Sequence, residues 1–525
     1  MRPQPWSPPV EMSEREARMV KRLRKKGRFY VFLREHRHEI LTAEVQAELA
    51  GLYKKSAKGQ PPILPERLAL ATLLQAYLGL SDEDTVDATQ MDKRWQLVLD
   101  WWNDDDPAFA QGTLVHFRQR LQANNLDRVL IERTVAVAEE AGGFGRRQLK
   151  LALDSSPIWG AGRVEDTINL LGTALSRAVA ALGKLMGRSR QVEATVRGLP
   201  ELAGSSVKAA LDLDWREPEA RDVALARLLG VLERLEEQLA EEPAAPARVN
   251  QHLTTARQVV AQDVTTTAAG TPTIRQGVAP DRRISVAERE MRHGRKSKAV
   301  RFDGYKQHAV RDLGQAGIIR AVGVTPANRP EAEVAPAVLS DLARQHLEIT
   351  EWHVDRAYLR SQVVTERPSE TVIWCKPYLV QNKAQFPKTA FAFDKAQKTL
   401  TCPAGVTQSG TVGQTVRFPA DRCDSCGLRP QCTRARPGTG RSVALHPEEV
   451  RLEELRAALT TSEGRTKFRE RVGVEHSLAR IHQIRGDVAR YRGLRKQIYE
   501  TRIAAAVVNL QLADRLRTLA STQIT

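Results

Sequence analysis

LKLALDSSP, residues 149–157, is an apolar run that gives way to polar residues at Asp154. The pattern predicts a strand whose end presents a carboxylate on a rigid element that is still open to solvent. A second run of this kind, ITEWHVDRAY (349–358), gives way at Asp355. Between them, GYKQHAVRD (304–312) and GIIRAVGVTP (317–326) flank the turn-rich Leu313-Gly314-Gln315-Ala316 and predict a hairpin. A helix, EAEVAPAVLSDLARQH (331–346), separates the hairpin from the Asp355 strand, and another strand, TVIWCKP, starts at Thr371. The order strand, helical insert, hairpin, helix, strand, helix, strand predicts a three-layer α/β core built on a mixed sheet.

A third carboxylate stands in FRERVGVEHSLARIH (468–482). There Phe468, Arg471, Glu475, Leu478 and His482 recur at helical spacing and share one face. Glu475 is preferred to Glu470 because it shares that face with Arg471 one turn earlier and His482 two turns later. A lone Asp at a strand end reads as a cap or turn former. Two of them plus a helical Glu, in a chain of net charge +17, point instead to a metal-dependent enzyme acting on nucleic acid. Magnesium needs hard oxygen ligands, and two such ions can clamp the attacking and leaving oxygens of a phosphodiester. The 80 Lys and Arg against 63 Asp and Glu supply attraction to phosphate.

Composition sets the frame. A chain of 525 residues is too long for one compact core and predicts about two to four domains. The basic balance indicates a polyanionic partner, although a ribosomal or membrane-surface protein would share it. The opening residues lack the apolar core of a secretory signal, and apolar stretches such as ALATLLQAYLGL from Ala69 are too short to span a bilayer. The expectation is a cytoplasmic protein without membrane association.

Residues 1–28 read as a Pro-rich and basic tail, with KRLRKKGR from Lys21. Residues 29–145 form a helical domain expected to bind DNA, with Arg118 and Arg120 near a turn. In it, Ser81-Asp82-Glu83-Asp84 caps a helix, and NDDDP breaks the chain before TLVHFRQRLQANN. The first core strand occupies 146–160 and a helical insert 161–280. Leu228, Leu232, Leu235 and Leu239 mark one apolar face of the insert, and TTTAAGTPT from Thr265 closes it as a linker. The catalytic core spans 281–395, a four-cysteine insert 396–445, and the Glu475 helix with basic helices 446–525. The last of these carries Ile503, Val507, Leu510 and Leu516 on an apolar face.

Cys402, Cys423, Cys426 and Cys432 form C-P-x-G followed by C-x2-C-x5-C, which suits a tetrahedral structural zinc site. Disulfides are the alternative, disfavoured in a reducing compartment. Cys375, in an apolar strand, reads as a core residue. Lys296, Lys298, Lys306 and His308 flank the hairpin strand, either as phosphate contacts or as a solvated face. Arg490, Arg492, Arg495 and Lys496, with Arg485, are dense enough to favour DNA contact: only Asp487 and Glu500 lie near them in sequence. Trp159 reads as a core residue, with stacking on a flipped base as the alternative.

Together these features resemble the DDE transposases of bacterial insertion sequences, which have a ribonuclease H-like core. The final signature of related elements is Tyr, two residues, Arg, three residues, Glu, six residues, Lys. Here Phe468, Arg471, Glu475 and His482 stand at that spacing, with Phe for Tyr and His for Lys. RHGRKSKAVRFDGYKQH and VTPANRPEAE resemble the second and third strands of that core. YLGLSDEDTVDA and TLVHFRQRL are similar to the helical domain that precedes many of them, and the four-cysteine insert resembles one branch. The resemblance implies Asp154, Asp355 and Glu475 as the metal triad, with Arg471 and His482 beside it and two Mg2+ or Mn2+ ions per site. It also implies cleavage of terminal inverted repeats, strand transfer into target DNA, action as a homodimer, and a nucleoid-associated bacterial setting. A non-catalytic DNA-binding derivative and a general nuclease of the same fold are the rival readings.

Overall fold

A computed structural model describes residues 3–524, apart from 25–26, 56–59, 103–104, 145–147, 242–245, 315–316 and 379. Lys25 and Lys26 of the basic run, Asn103 and Asp104 of the NDDDP breaker, and Gln315-Ala316 of the hairpin turn lie outside the described residues.

The central sheet is mixed. β1 (Gln148–Trp159) lies at its middle, antiparallel to β3 (Arg301–Asp312) and parallel to β5 (Glu348–Val354). β6 (Val372–Cys375) continues the parallel side beyond β5. On the other side β2 (Arg292–Arg295) and β4 (Ile319–Pro326) pair with successive halves of β3 along the same edge. The parallel register matters most. Leu153 pairs with Val354, so the next residues, Asp154 and Asp355, emerge at the same end of neighbouring strands.

Alternation of side chains through the sheet builds two cores. Leu149, Leu151, Leu153, Val310 and Ala321 face one side and pack against the helix Ala335–Ala343 and the helix Glu449–Ala458. Ala152, Ala309, Ile319 and Val322 face the other side, where the helices Pro65–Leu78 and Asp127–Ala141 and the C-terminal helix Leu494–Ile524 cover them. The C-terminal stretch is thus one 31-residue helix running through the core, with Ile503, Val507 and Leu510 fully buried. The helices of the N-terminal region share its core, so that region is a layer on the central sheet.

Between residues 3 and 24 the chain carries more structure than a tail. Ser13 and Glu16 form a capping box that starts the helix Glu14–Arg22, and Trp6 is buried. Glu16 is itself buried and accepts from Arg34 Nε at 2.7 Å. Burial would raise its pKa, but the Arg34 and Ser13 hydrogen bonds hold it at about 2.

The insert has its own core, made by Leu170, Leu171, Leu175, Leu228, Leu235, Val249, Leu253 and neighbours. Its ends are pinned together: Asp263, nearly buried, accepts from Thr167 Oγ1 at 2.9 Å and from Arg282 Nη2 at 2.7 Å. TTTAAGTPT is not a linker. Val264–Thr266 and Pro272–Ile274 pair as a small antiparallel hairpin, because β-branched residues flank a turn that Gly270 closes at φ +79°.

Candidate active site

The polar ends of β1 and β5 open into a groove of about 750 Å3. Asp154, Asp355 and Glu475 line it together with Arg471, His482, Ser156, Arg295, Lys296 and Lys306. Glu475 arrives from the helix Val472–Arg485 that crosses this end of the sheet, and it is half exposed. Phe468 does not share its face. It lies on the preceding helix Ser462–Glu470, under the sheet edge-on to Trp374, whereas Val474, Leu478 and Ile481 pack on the opposite core. The chain changes helix at Arg471, which separates the two sets.

Arg471 ties the carboxylates together. One guanidinium nitrogen donates to Asp154 Oδ2 and the other to Glu475 Oε1 at 2.9 Å. Asp154 also accepts from the Ser155 amide at 2.8 Å, and Asp355 from the Arg356 amide at 2.7 Å. Burial pushes the Asp154 pKa up against the pull of Arg471, and the charges of Asp355 and Glu475 push it further. Carboxylates that line one groove repel one another in this way, and a divalent cation bound between them would relieve it.

His482 sits two turns after Glu475. Its Nε2 is 2.9 Å from Ser156 Oγ and its Nδ1 is 3.0 Å from Asp487 Oδ1. Ser156 Oγ accepts from Gln307 Nε2 at 3.0 Å, and Gln307 Oε1 in turn accepts from Arg485 at 3.3 Å. Burial lowers the His482 pKa against the pull of Asp487, and this imidazole stands where the family signature has a permanent ammonium. Ser156 and Gln307 were missed by sequence reasoning, yet Ser156 is two residues beyond Asp154 on the same strand face, and Gln307 is its register partner on β3.

The remaining expected DNA contacts divide. Lys296 lines the groove, and Lys298 is exposed outside it. Lys306 lines it too, but donates to the Arg329 carbonyl at 3.0 Å and lies 3.7 Å from Glu331. His308 is not a phosphate contact. It is fully buried between Tyr358 Oη, 2.7 Å away, and Thr325 Oγ1, 3.0 Å away, and burial pushes its pKa down to about 3. Arg118 also points inward, paired with Asp82 and 2.9 Å from Tyr491 Oη. Arg120 is exposed, stacked over Tyr53. Arg495 pairs with the fully buried Asp127, a partner distant in sequence, while Arg490 donates to the Leu80 carbonyl at 2.8 Å. Arg492 and Lys496 are exposed. Trp159 is 43% exposed at the groove mouth and is not a core residue.

The four cysteines lie in a separate small module of two short sheets around Phe391, Leu400, Val416, Phe418, Val443 and Leu445. Cys402, Cys423, Cys426 and Cys432 line one cavity of about 30 Å3, and none is in a disulfide. The Arg441 amide donates to Cys423 Sγ at 3.5 Å, as amides around thiolate ligands do. Burial raises the Cys432 pKa, and the charges of the other three cysteines add to the rise. Four thiols of this kind would suit a soft tetrahedral ion such as zinc, although no three of the sulfurs lie within 4.8 Å of one another in this structure. The one group of three metal-ligating atoms within 4.8 Å of one another among the described residues is Glu351, His353 and Glu470. Lys467 stands 3.2 Å from Glu351 and 3.3 Å from Glu470, and Lys150 stands 3.0 Å from Glu351, so this group is a salt-bridge network. Cys375 is buried.

Comparison with known families finds two partial matches. Residues 396–512 match the family described as Transposase DDE domain, and residues 18–120 match the Transposase domain (DUF772). The two matches support a DDE transposase of the insertion-sequence type, a class that acts on DNA. The first match includes the four cysteines and Glu475, and neither reaches Asp154 or Asp355. No curated protein and no solved structure matches the chain. No helix among the described residues is long and apolar enough to cross a membrane.

Proposed function

We propose that this chain cleaves DNA at the ends of its own mobile element and transfers the freed strands into target DNA, using Asp154, Asp355 and Glu475 as one metal-binding triad in a ribonuclease H-like core. The observation that carries this reading is the convergence of the three carboxylates on one groove in a chain with two transposase-type matches. Support for the core type comes from the strand order, with antiparallel strands on one side of β1 and parallel strands on the other. Two Mg2+ or Mn2+ ions held by these carboxylates would supply activation of water or a DNA 3′-hydroxyl and stabilisation of the leaving oxygen.

The chain's own groups do the positioning. The sheet fixes Asp154 and Asp355 on rigid strand ends, and Arg471 orients Asp154 and Glu475 through its two nitrogens. Lys296 and Arg295 provide positive charge along the groove for the phosphates on either side of the reacting one. His482, anchored by Ser156, can donate or accept a hydrogen bond but adds no permanent charge. In the four-cysteine module, a structural Zn2+ with no open coordination position would staple a core too small to be stable alone.

The test is incubation with linear DNA carrying the element's own ends, Mg2+ and a target plasmid. Cleavage confined to those ends, with joined products, is the expected result. Equal cleavage of unrelated ends would identify a general nuclease, and binding without cleavage would identify a non-catalytic derivative.

A further inference from the structure

We propose that Gln307 is a positioning residue: held by Arg485, it sets which ring nitrogen of His482 carries the proton, and so makes that ring a hydrogen-bond donor toward the groove. Arg485 ends the helix that bears Glu475, and its side chain is fully enclosed. A guanidinium has five N–H donors and no acceptor. Arg485 Nη2 donates to Glu500 Oε2 and to Gln497 Oε1, both at 2.8 Å, so the charge is neutralised and the group is fixed. Its Nη1 is 3.3 Å from the amide of Gln307, which is itself fully buried. Only the oxygen of that amide can meet a donor. Oε1 therefore turns to Arg485, and Nε2 turns to Ser156 Oγ, 3.0 Å away.

The polarity passes on from there. Ser156 Oγ accepts from Gln307 and has one proton to place. Among the described residues the His482 ring, with Nε2 2.9 Å away, is the one acceptor it meets. Nε2 is then the bare nitrogen, and the proton of the neutral ring sits on Nδ1. Nδ1 is buried 3.0 Å from Asp487 Oδ1, yet the two lack hydrogen-bond geometry. The reverse tautomer would aim a lone pair at that carboxylate, which is repulsive. An enclosed N–H without an aligned acceptor gains by meeting a better one. The Asp487 side chain is 79% exposed and lines the groove with Ser156 and His482, so a phosphodiester oxygen entering the groove can take its place. A neutral imidazole serves an anion only through its N–H, and Gln307 with Arg485 keeps that N–H on the side where the anion arrives.

The proposal rests on the reading that DNA occupies this groove, and its first readout needs neither DNA nor cleavage. Full-length protein with isotope-labelled histidine is examined by proton–nitrogen NMR at about pH 8, where a neutral ring reports its tautomer. His482 is identified as the ring whose signals vanish in His482→Gln. The native ring should show a protonated Nδ1 and a bare Nε2. Gln307→Glu keeps an acceptor for Arg485 and loses the N–H, so Ser156 turns its proton to the new carboxylate and the ring should reverse to a protonated Nε2. Ser156→Ala cuts the chain without touching Arg485 and should release the ring to a mixture of both forms, which keeps the test open if Gln307→Glu does not fold. Thermal melts matching the native protein establish that each variant is intact. Adding duplex DNA in chelator should shift the native Nδ1 proton as phosphate replaces Asp487. A native ring protonated on Nε2, a tautomer unchanged in both variants, or an Nδ1 proton that does not respond to bound DNA would overturn the proposal. Absence of metal-dependent cleavage alongside the expected tautomers and DNA response would remove the transposase reading and leave the positioning role standing.

Discussion

Arg495 and the pair Arg492/Lys496 look alike in sequence and should behave differently. Arg495 is buried in part against Asp127, which is fully enclosed and also holds Arg502 at 3.2 Å. Removing Arg495 leaves Asp127 one charged partner, so Arg495→Ala should destabilise the fold by about 1–2 kcal/mol without altering the salt dependence of DNA binding. Arg492 and Lys496 are exposed and can each meet a phosphate. A phosphate contact contributes about 0.9 to the slope of log affinity against log salt, so Arg492→Ala with Lys496→Ala should reduce the slope by about 1.8. Over a fourfold rise in salt, that difference amounts to ~12-fold in relative affinity. Fluorescence anisotropy between about 50 and 200 mM KCl, with thermal melts of the same proteins, reads both effects. A reduced slope in Arg495→Ala with an unchanged melt, or an unchanged slope in the double variant, would refute this division.

Other expectations concern metal and pH. Purified protein should contain one zinc per chain, and chelation should expose the region around 390–445 to protease; a metal-free protein with that region unchanged would remove the zinc assignment. Glu16→Gln should destabilise by about 3 kcal/mol, since it strands buried Arg34. The Glu16 pKa is depressed from 4.5 to about 2, so its contribution is present above pH 4.5 and is lost as pH falls towards 2, which melts across that range will show or disprove. Asp154 has the opposite sign. Its raised pKa means the folded state holds the extra proton, so this group's contribution to stability declines as pH rises past the ordinary Asp value. Asp154→Asn should therefore melt no lower than the native protein at pH 7 while losing cleavage, and a lower melting temperature would contradict that.

Much of the core was legible because strands buried between two layers of helices read as apolar runs, and those runs end at carboxylates. The adjacency of Asp154 and Asp355 was not readable, since it depends on the Leu153–Val354 register. His308 was misread from Lys306, two residues earlier on the same face of β3. Alternation shows which residues share a face, and it does not show where along the strand that face passes from the groove into the core. Arg118 and Arg495 were misread because their partners, Asp82 and Asp127, lie far away in the chain. A dense basic run shows how many charges must be satisfied, and only the fold shows by whom. TTTAAGTPT carried a strand signal in its threonines that its small residues obscured.

The most direct test of the central claim is magnesium-dependent cleavage of element-end DNA by Asp154→Asn, Asp355→Asn and Glu475→Gln, measured beside their DNA affinity. If the three carboxylates form one metal centre, each variant loses cleavage by about a thousandfold or more and binds DNA as the native protein does. Near-native cleavage by any one of them would contradict that centre.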